Sequence, residues 1–140
     1  MLRHRPSPKS ERLRAVELFA DCTRTELSEI AALGDELDVT DGRALVHEGK
    51  TGREFFVLLS GEAVVTQDGR ELATLVAGDF FGEMALLDHR PRSATVTMRT
   101  DGTVLVVSPG SFATLIDRYP QVSRKVLAEI SRRIRRVEAA

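Results

Sequence analysis

Residues 55–76 read FFVLLSGEAVVTQDGRELATLV, three short β-prone runs separated by the turn dipeptides Ser60-Gly61 and Asp68-Gly69. Two similar dipeptides, Asp41-Gly42 and Asp101-Gly102, divide the sequence on either side. Turns at this spacing, with no long helical period between the runs, are typical of antiparallel sheets rather than parallel ones. The middle of the chain therefore predicts an antiparallel β-barrel of the jelly-roll type, with about eight strands.

Helical patterns flank this predicted barrel on both sides. Thr23 and Glu26 form a capping-box pattern at the start of a helix that Gly34 ends, and earlier apolar positions indicate another short helix. Ser108-Pro109 and Tyr119-Pro120 each open a helix near the carboxyl end. We therefore predict an α+β fold, with N-terminal helices before the barrel and two C-terminal helices after it.

The chain has 140 residues, enough for one domain with its own core. Residues 1–10 combine proline and serine with basic residues and show no apolar period, which predicts a flexible basic arm. A single domain is then expected over residues 11–140. Within it, we place the N-terminal helices at 11–34, the barrel at 35–108 and the C-terminal helices at 109–138.

The ends of the chain are basic and its middle is acidic. Residues 1–14 carry a net charge of +4 and residues 118–140 carry +5, whereas the whole chain has a net charge of −1. Basic ends can bind an anionic partner, but we expect them to pair with the acidic body. No apolar run approaches the roughly 20 residues that cross a bilayer, and no secretory signal pattern is present, so a cytoplasmic location without membrane contact is expected.

Residues 78–96 read GDFFGEMALLDHRPRSATV and contain the candidate site. Gly82 can adopt a positive φ, and the residues after it favour a short helix in the barrel wall whose free N–H groups suit an anion. Arg92 follows Pro91 at the start of the next predicted strand, where its guanidinium can reach the same anion. Glu83 would repel a phosphate, so if it points inward it should accept hydrogen bonds from neutral hydroxyls. The combination suits a sugar phosphate.

The runs FGEMALL (residues 81–87) and PRSATV (residues 91–96) closely resemble the phosphate-binding cassette of cyclic-nucleotide-binding domains. This family includes domains of the catabolite activator protein, protein kinase A regulatory subunits and cyclic-nucleotide-gated channels. HEGKTGREFFVLLSG (residues 47–61) resembles the family's glycine-rich β segment, and the resemblance covers roughly residues 13–137. It implies that the cassette spans residues 78–93.

The resemblance also implies a role for each cassette residue. Glu83 would accept a hydrogen bond from the ribose 2′-hydroxyl, and Arg92 would pair with the cyclic phosphate. Backbone N–H groups of four further residues would complete the cradle: Gly82, Met84, Ala85 and Ser93. Taken singly, Glu83 could be a first-turn acid, Arg92 a surface ion-pair partner and Gly82 a tight turn, but their joint order and spacing favour binding.

The family closes its pocket with the last helix or a nearby aromatic residue, and no aromatic residue follows Tyr119. A base lid in this chain must then be aliphatic or a guanidinium stacked on the purine. The candidates all lie in the last helix: Leu127, Ile130, Arg132, Arg133, Ile134 and Arg136. Ordinary helix packing is the alternative for each. Ser93 does not decide the base, and we expect cAMP rather than cGMP by analogy with bacterial members that carry serine.

We expect no catalysis, no cofactor and no metal. His4, His47 and His89 stand alone, without the histidine pair and carboxylate of a cupin-like metal site. Ser60-Gly61 indicates a hairpin turn rather than a nucleophile elbow. The hypothesis is a stand-alone cyclic mononucleotide sensor, which signals to an unidentified protein effector by repositioning its C-terminal helices.

Two alternatives to a stand-alone sensor stay open. The chain could be a regulatory domain of a larger channel, kinase or other enzyme, or a nucleic-acid binder of the transcription-regulator type that lacks a winged helix. About four residues follow Arg136, too few for a winged helix, so no DNA binding is expected. The apolar stripe of the last helix could pair across a homodimer or be used entirely against the barrel.

Overall fold

The strands form two four-stranded sheets in which all the paired neighbours are antiparallel. The computed structural model describes the backbone of residues 8–86 and 89–139, and side chains within residues 11–84 and 89–133. The strands are β1 (Gly34–Val39), β2 (Ala44–Val46), β3 (Phe55–Ser60), β4 (Glu62–Gln67), β5 (Arg70–Val76), β6 (Phe80–Phe81), β7 (Thr95–Met98) and β8 (Gly102–Val107). Their order is β1-β8-β3-β6 in the first sheet and β2-β7-β4-β5 in the second. The predicted antiparallel fold and strand number are confirmed, as two sheets rather than one closed barrel across the described strands.

The turn dipeptides have two different roles. Asp68 and Gly69 have φ of +51° and +78° and join β4 to β5 as a hairpin, the conformation that an Asp-Gly turn favours. The hairpin predicted at Ser60-Gly61 is wrong, because β3 and β4 belong to different sheets. Gly61 has a φ of +90°, and a Cβ there would lie 2.6 Å from the Asp101 carbonyl oxygen. This glycine therefore lets the chain cross between sheets against a neighbouring turn.

β3 is buried on both faces, which explains its uninterrupted apolar sequence. Phe55 and Val57 belong to the core beneath the helices, and the Phe55 ring stacks on Phe112 with 4.2 Å between ring centroids. Phe56 and Leu58 belong to the core between the two sheets. The strand therefore joins the two cores, and the candidate site is built beside its first residues.

The helices lie on either side of the strands in sequence, as predicted. They are α1 (Pro8–Arg14), α2 (Arg24–Ala31), α3 (Pro109–Arg118) and α4 (Pro120–Ala139), with 3₁₀ helices at Glu17–Phe19 and Glu83–Leu86. We call the second of these 3₁₀ helices the cassette helix. None of the described helices is both long and apolar enough to span a bilayer.

The start of α1 corrects the predicted limit of the flexible arm. The helix begins at Pro8, inside the 1–10 segment, because the fixed φ of proline suits the first position of a helix. Residues 1–7 lie outside the described residues, so the arm prediction is untested there. The capping box is confirmed: Glu26 donates its backbone N–H to Thr23 Oγ1 at 3.1 Å, and Glu26 Oε1 accepts from the Thr23 backbone N–H at 2.8 Å.

The basic carboxyl end pairs with the acidic body, as expected from the charge pattern. Lys125 on α4 donates from Nζ to the backbone carbonyl of Glu17 at 2.6 Å, and it forms ion pairs with Glu17 and Asp21 at 2.9 and 3.3 Å. Exposed pairs of this kind contribute little stability individually. They do fix the first half of α4 against the segment that follows α1.

Tyr119 connects the α3–α4 junction to α2. Its side chain is buried, and its hydroxyl donates to Glu29 Oε1 at 2.6 Å. Burial, followed by the hydrogen bond to the Glu29 carboxylate, raises the pKa of Tyr119 to about 12. Both causes act by disfavouring the negatively charged tyrosinate.

We predict that Tyr119→Phe removes one cause of the fall in the free energy of unfolding that the wild-type protein shows at alkaline pH. The unfolded chain releases the tyrosine proton near pH 10, whereas the folded protein holds it until about pH 12. Stabilisation by this group is therefore complete below about pH 10 and falls as the pH rises. In urea unfolding, the stability advantage of wild type over Tyr119→Phe should shrink by about 1 kcal/mol between about pH 8 and pH 11. A pH-independent difference would contradict the assignment.

Candidate ligand-binding site

A cavity of about 980 Å³ lies among β5, β6, the cassette helix, the segment before β7 and one face of α4. This volume is within the range of small-molecule sites. The cavity brings together five of the six predicted cassette residues: Gly82, Glu83, Met84, Arg92 and Ser93. Ala85 belongs to the cassette helix, but its side chain lies outside the described residues.

Gly82 makes the turn between β6 and the cassette helix and has the positive φ that the sequence predicts, +91°. A Cβ at this position would lie 2.5 Å from the Glu54 carbonyl oxygen and 3.3 Å from Phe55 Cα. Both the backbone conformation and the close approach to the start of β3 therefore require glycine. This turn brings the next residue, Glu83, into the interior.

Glu83 is 2% exposed, so its side chain points inward, which is the condition under which the sequence predicts that it accepts hydrogen bonds from hydroxyls. Its Oε2 accepts a hydrogen bond from Nη1 of Arg133 on α4, which is also an ion pair. Its Oε1 is buried and has no hydrogen-bond partner among the described residues. A buried acceptor without a donor is unusual in proteins, and a ligand hydroxyl would satisfy it.

Arg92 is held by the backbone around it. Its N–H donates to the Lys50 carbonyl at 2.9 Å, and its carbonyl accepts from the Gly49 N–H at 2.8 Å. These two bonds fix the segment before β7 against the loop between β2 and β3. The side chain packs on Gly52, where a Cβ would lie 3.0 Å from the guanidinium Nε.

The Arg92 guanidinium is mostly buried. Its Nη2 donates to the Glu54 carbonyl at 2.9 Å, the Glu54 carboxylate lies 3.7 Å away, and the Phe56 ring lies beneath the group at 5.9 Å. Burial lowers the pKa of Arg92, while the charges of Glu54 and Glu83 act in the opposite direction. Nε is buried without a hydrogen-bond partner in the described part of the chain. The group is therefore a cation with an unused donor.

Met84 and Ser93 occupy the more open part of the site. Met84 is 46% exposed, and Ser93 is exposed with its carbonyl accepting from Gln67 Nε2 at 2.9 Å. The exposed Leu72 on β5 lines the same cavity. These residues provide an apolar surface with a hydroxyl beside the two buried charges.

Two of the six candidate lid residues, Arg132 and Arg133, line the cavity. Leu127 and Ile130 do not, because α4 directs Leu127 outward, 61% exposed, and packs Ile130 into the core beneath the helices. Ile134 and Arg136 lie beyond the last described side chains of α4. The part of α4 that reaches the cavity is therefore its arginine-bearing face.

Glu129 organises this arginine face. Its Oε1 accepts from Arg132 at 2.7 and 3.0 Å, and its Oε2 accepts from Arg133 Nε at 3.0 Å, the pair expected from their spacing of four residues. Burial tends to raise the pKa of Glu129, but the Arg132 hydrogen bonds and the Arg133 charge outweigh it and lower the pKa overall. Glu129 therefore helps to hold the Arg133 side chain in the orientation in which it contacts Glu83.

Sequence reasoning missed two partners of the predicted site residues. The Glu54 carbonyl accepts a hydrogen bond from the Arg92 guanidinium, and Gly82 packs closely against the same carbonyl. A backbone carbonyl is present at every residue, so no pattern of residue types could have identified it. The Arg133–Glu83 pair joins residues 50 positions apart, and only the role of Arg133 as a candidate lid pointed in its direction.

Comparisons with known proteins agree with this geometry. The chain matches the family model described as cyclic nucleotide-binding domain over residues 36–119. It is 38% identical over 106 residues to a cAMP-dependent protein kinase regulatory subunit of Yarrowia lipolytica, covering 74% of this chain and 28% of the relative. It is 37% identical over 111 residues to the cGMP-dependent protein kinase egl-4 of Caenorhabditis briggsae, covering 74% and 15% respectively.

A similar solved structure is the catabolite activator protein of Thermus thermophilus. It superposes with a TM-score of 0.79 at 28% sequence identity, over 87% of this chain and 60% of that chain. The chain spans less than a third of the length of either of these two relatives. The similarity therefore concerns one domain of longer proteins.

We predict that Gly82→Ala is more destabilising than Gly78→Ala. Both glycines have a positive φ, +91° and +99°, so both substitutions carry a backbone cost of about 1–2 kcal/mol. A Cβ at Gly78 meets no atom within 4 Å, whereas a Cβ at Gly82 meets the Glu54 carbonyl. Urea unfolding should show at least about 1 kcal/mol of additional loss for Gly82→Ala. Equal losses would show that the close approach at Gly82 is not required.

Proposed function

This chain belongs to the cyclic nucleotide-binding domain family, and on that premise we propose that it binds a cyclic purine mononucleotide, cAMP in preference to cGMP, in the cavity between the cassette helix and α4. One observation carries the proposal. A buried carboxylate, Glu83, and a buried guanidinium, Arg92, line the same cavity, and each has a buried polar atom without a partner among the described residues. An acceptor and a cation of this kind match a sugar hydroxyl beside a phosphate.

The charges determine how such a ligand is oriented. The cyclic phosphate carries one negative charge, so it is attracted to Arg92 and repelled by Glu83. The phosphate therefore lies against Arg92 and the backbone N–H groups of the cassette, and the ribose 2′-hydroxyl donates to Glu83. Because both side chains are buried, these hydrogen bonds are stronger than they would be in water. The site acts by binding, and its groups supply an acceptor and a cation rather than an activated water.

The base occupies the more open side of the cavity. Leu72 and Met84 offer apolar contact to a purine ring, and Arg132 on α4 offers a guanidinium that can stack on it. The names of the relatives include both cAMP-dependent and cGMP-dependent proteins. Ser93 alone does not decide the base, and the preference for cAMP rests only on an analogy with bacterial members that carry serine at this position.

Ligand binding is signalled by a change in the position of α3 and α4. α4 contacts the cavity through Arg132 and Arg133, and it contacts the segment after α1 through Lys125. A ligand that binds one arrangement of these helices better than another shifts the population toward it. The repositioned helices would then present a surface to a protein effector, in a stand-alone sensor.

A second candidate is the same binding function within a longer protein. The regulatory subunit of Yarrowia lipolytica and the kinase of Caenorhabditis briggsae carry the matching segment as a minor part of their length, 28% and 15% respectively. In that arrangement, α4 would act on a neighbouring domain of the same polypeptide. The binding site and its chemistry are unchanged between the two candidates.

We predict that Arg92→Ala weakens cAMP binding by about tenfold to a hundredfold, because it removes a charge-assisted hydrogen bond of about 1.5–3 kcal/mol. Arg92→Lys should fall between wild type and alanine, since lysine keeps the charge but loses the planar fork. Titration calorimetry with cAMP and cGMP on the three proteins measures both the site and the base preference.

The matched control is Arg99→Ala. Arg99 directly follows β7, whereas Arg92 precedes it, and Arg99 pairs with Glu62 and Glu71 at the surface, outside the cavity lining. Its removal should leave the affinity for cAMP unchanged. Circular dichroism and thermal melting establish that each variant is folded. If folded Arg92→Ala binds cAMP as tightly as wild type does, the phosphate site is not at Arg92.

A further inference from the structure

Arg133 contacts three groups at once. Its Nη1 donates to Glu83 Oε2, its Nη2 donates to the Phe80 carbonyl at 3.1 Å, and its Nε donates to Glu129 Oε2 at 3.0 Å. Its guanidinium also lies over the Phe80 ring at 5.8 Å. The side chain is 35% exposed, whereas the Glu83 side chain that it contacts is 1% exposed. Arg133 therefore joins α4 to both β6 and the cassette helix.

The Glu83 side chain is 1% exposed, so neither of its carboxylate oxygens is open to solvent. One oxygen is held by Arg133, and the other is buried and without a partner among the described residues. A sugar hydroxyl has to reach one of these oxygens if Glu83 is to bind it. Since Arg133 is the group paired with this carboxylate, movement of its side chain, or of the part of α4 that carries it, would open the carboxylate to the sugar.

We infer that Arg133 competes with the sugar of the ligand for Glu83 and so sets how strongly the site selects a 2′-hydroxyl. The inference rests on the proposed function. Arg133 holds one oxygen of the carboxylate that the sugar would use, and part of the hydroxyl-binding energy is lost in displacing it. Because Arg133 belongs to α4, the same displacement changes the contact between α4 and the cassette helix, which links sugar binding to the position of α4.

The test compares cAMP with 2′-deoxy-cAMP by titration calorimetry. The dissociation constant of 2′-deoxy-cAMP divided by that of cAMP measures how much the 2′-hydroxyl alone contributes to binding. Removing a cation also weakens attraction for the phosphate, but that effect is common to both ligands and cancels in the ratio. Arg133→Gln should therefore raise the ratio about fivefold over wild type, the size of one hydrogen bond to a charged group discounted for partial exposure.

Two further variants isolate the effect. Arg124→Gln makes the same change of charge at an exposed position of α4 outside the cavity lining, and it should leave the ratio at the wild-type value. In a Glu83→Gln background, Arg133→Gln should no longer change the ratio, because the effect acts through Glu83. Arg133→Lys, which cannot bridge the same three groups, should give an intermediate ratio. It carries the test if Arg133→Gln does not fold.

The outcomes separate this inference from the proposed function. A ratio that rises only when Glu83 is present supports competition. If wild type binds cAMP but the ratio in the Arg133 variants is unchanged, Arg133 does not compete for Glu83. A ratio that falls would show that Arg133 helps Glu83 to hold the sugar, which also overturns competition. If no protein in the series binds cAMP, the proposed function fails, and the competition fails with it.

Discussion

Glu83 is a carboxylate with almost no contact with solvent, and two guanidinium groups surround it: Arg133 by direct contact and Arg92 through its charge. A buried charge without partners would cost several kcal/mol, so this carboxylate can lie in the interior only if cations are held beside it. Arg92 comes from the segment before β7 and Arg133 from α4. The position of these separate elements therefore depends on one acidic side chain.

The start of β3 is the scaffold for this arrangement. The carbonyl of Glu54 accepts from the Arg92 guanidinium and limits position 82 to glycine. One residue later the strand enters the core, where the next two phenylalanines face opposite sides of the first sheet. Phe56 pairs with Phe81 across β3 and β6, and their rings stack with 4.7 Å between the ring centroids. This contact fixes the position of Phe81, the residue before Gly82. The rigid two-sided strand thus positions both halves of the site.

Local patterns predicted the features that local interactions determine. The Thr23–Glu26 capping box, the Ser108 N-cap and the Asp68-Gly69 hairpin depend on residues within a few positions of one another, and all three are present. The sequence at Ser60-Gly61 is typical of a hairpin turn, because a glycine with positive φ occurs both in hairpins and where the chain crosses between sheets. Whether the strands on either side pair with each other depends on distant strands, which a single sequence does not reveal.

In the candidate site too, the sequence predicted what local interactions determine and not what depends on distant contacts. Gly82 and Glu83 were identified as site residues from a short motif, but only the structure shows that Glu83 points inward. The apolar period of α4 could not tell which face meets the cavity, so Leu127 was a lid candidate although it faces outward. The contact of Arg133 with Glu83 required the fold, because it joins a helix and a cassette 50 residues apart.

The central claim is that one cavity holds a cyclic phosphate on Arg92 and the sugar on Glu83. The most direct measurement is a crystal structure of this chain with cAMP. We predict that a phosphate oxygen lies within hydrogen-bond distance of Arg92, and that the ribose 2′-hydroxyl donates to Glu83. A structure with the nucleotide bound elsewhere, and with Glu83 Oε1 and Arg92 Nε still without partners, would contradict the account.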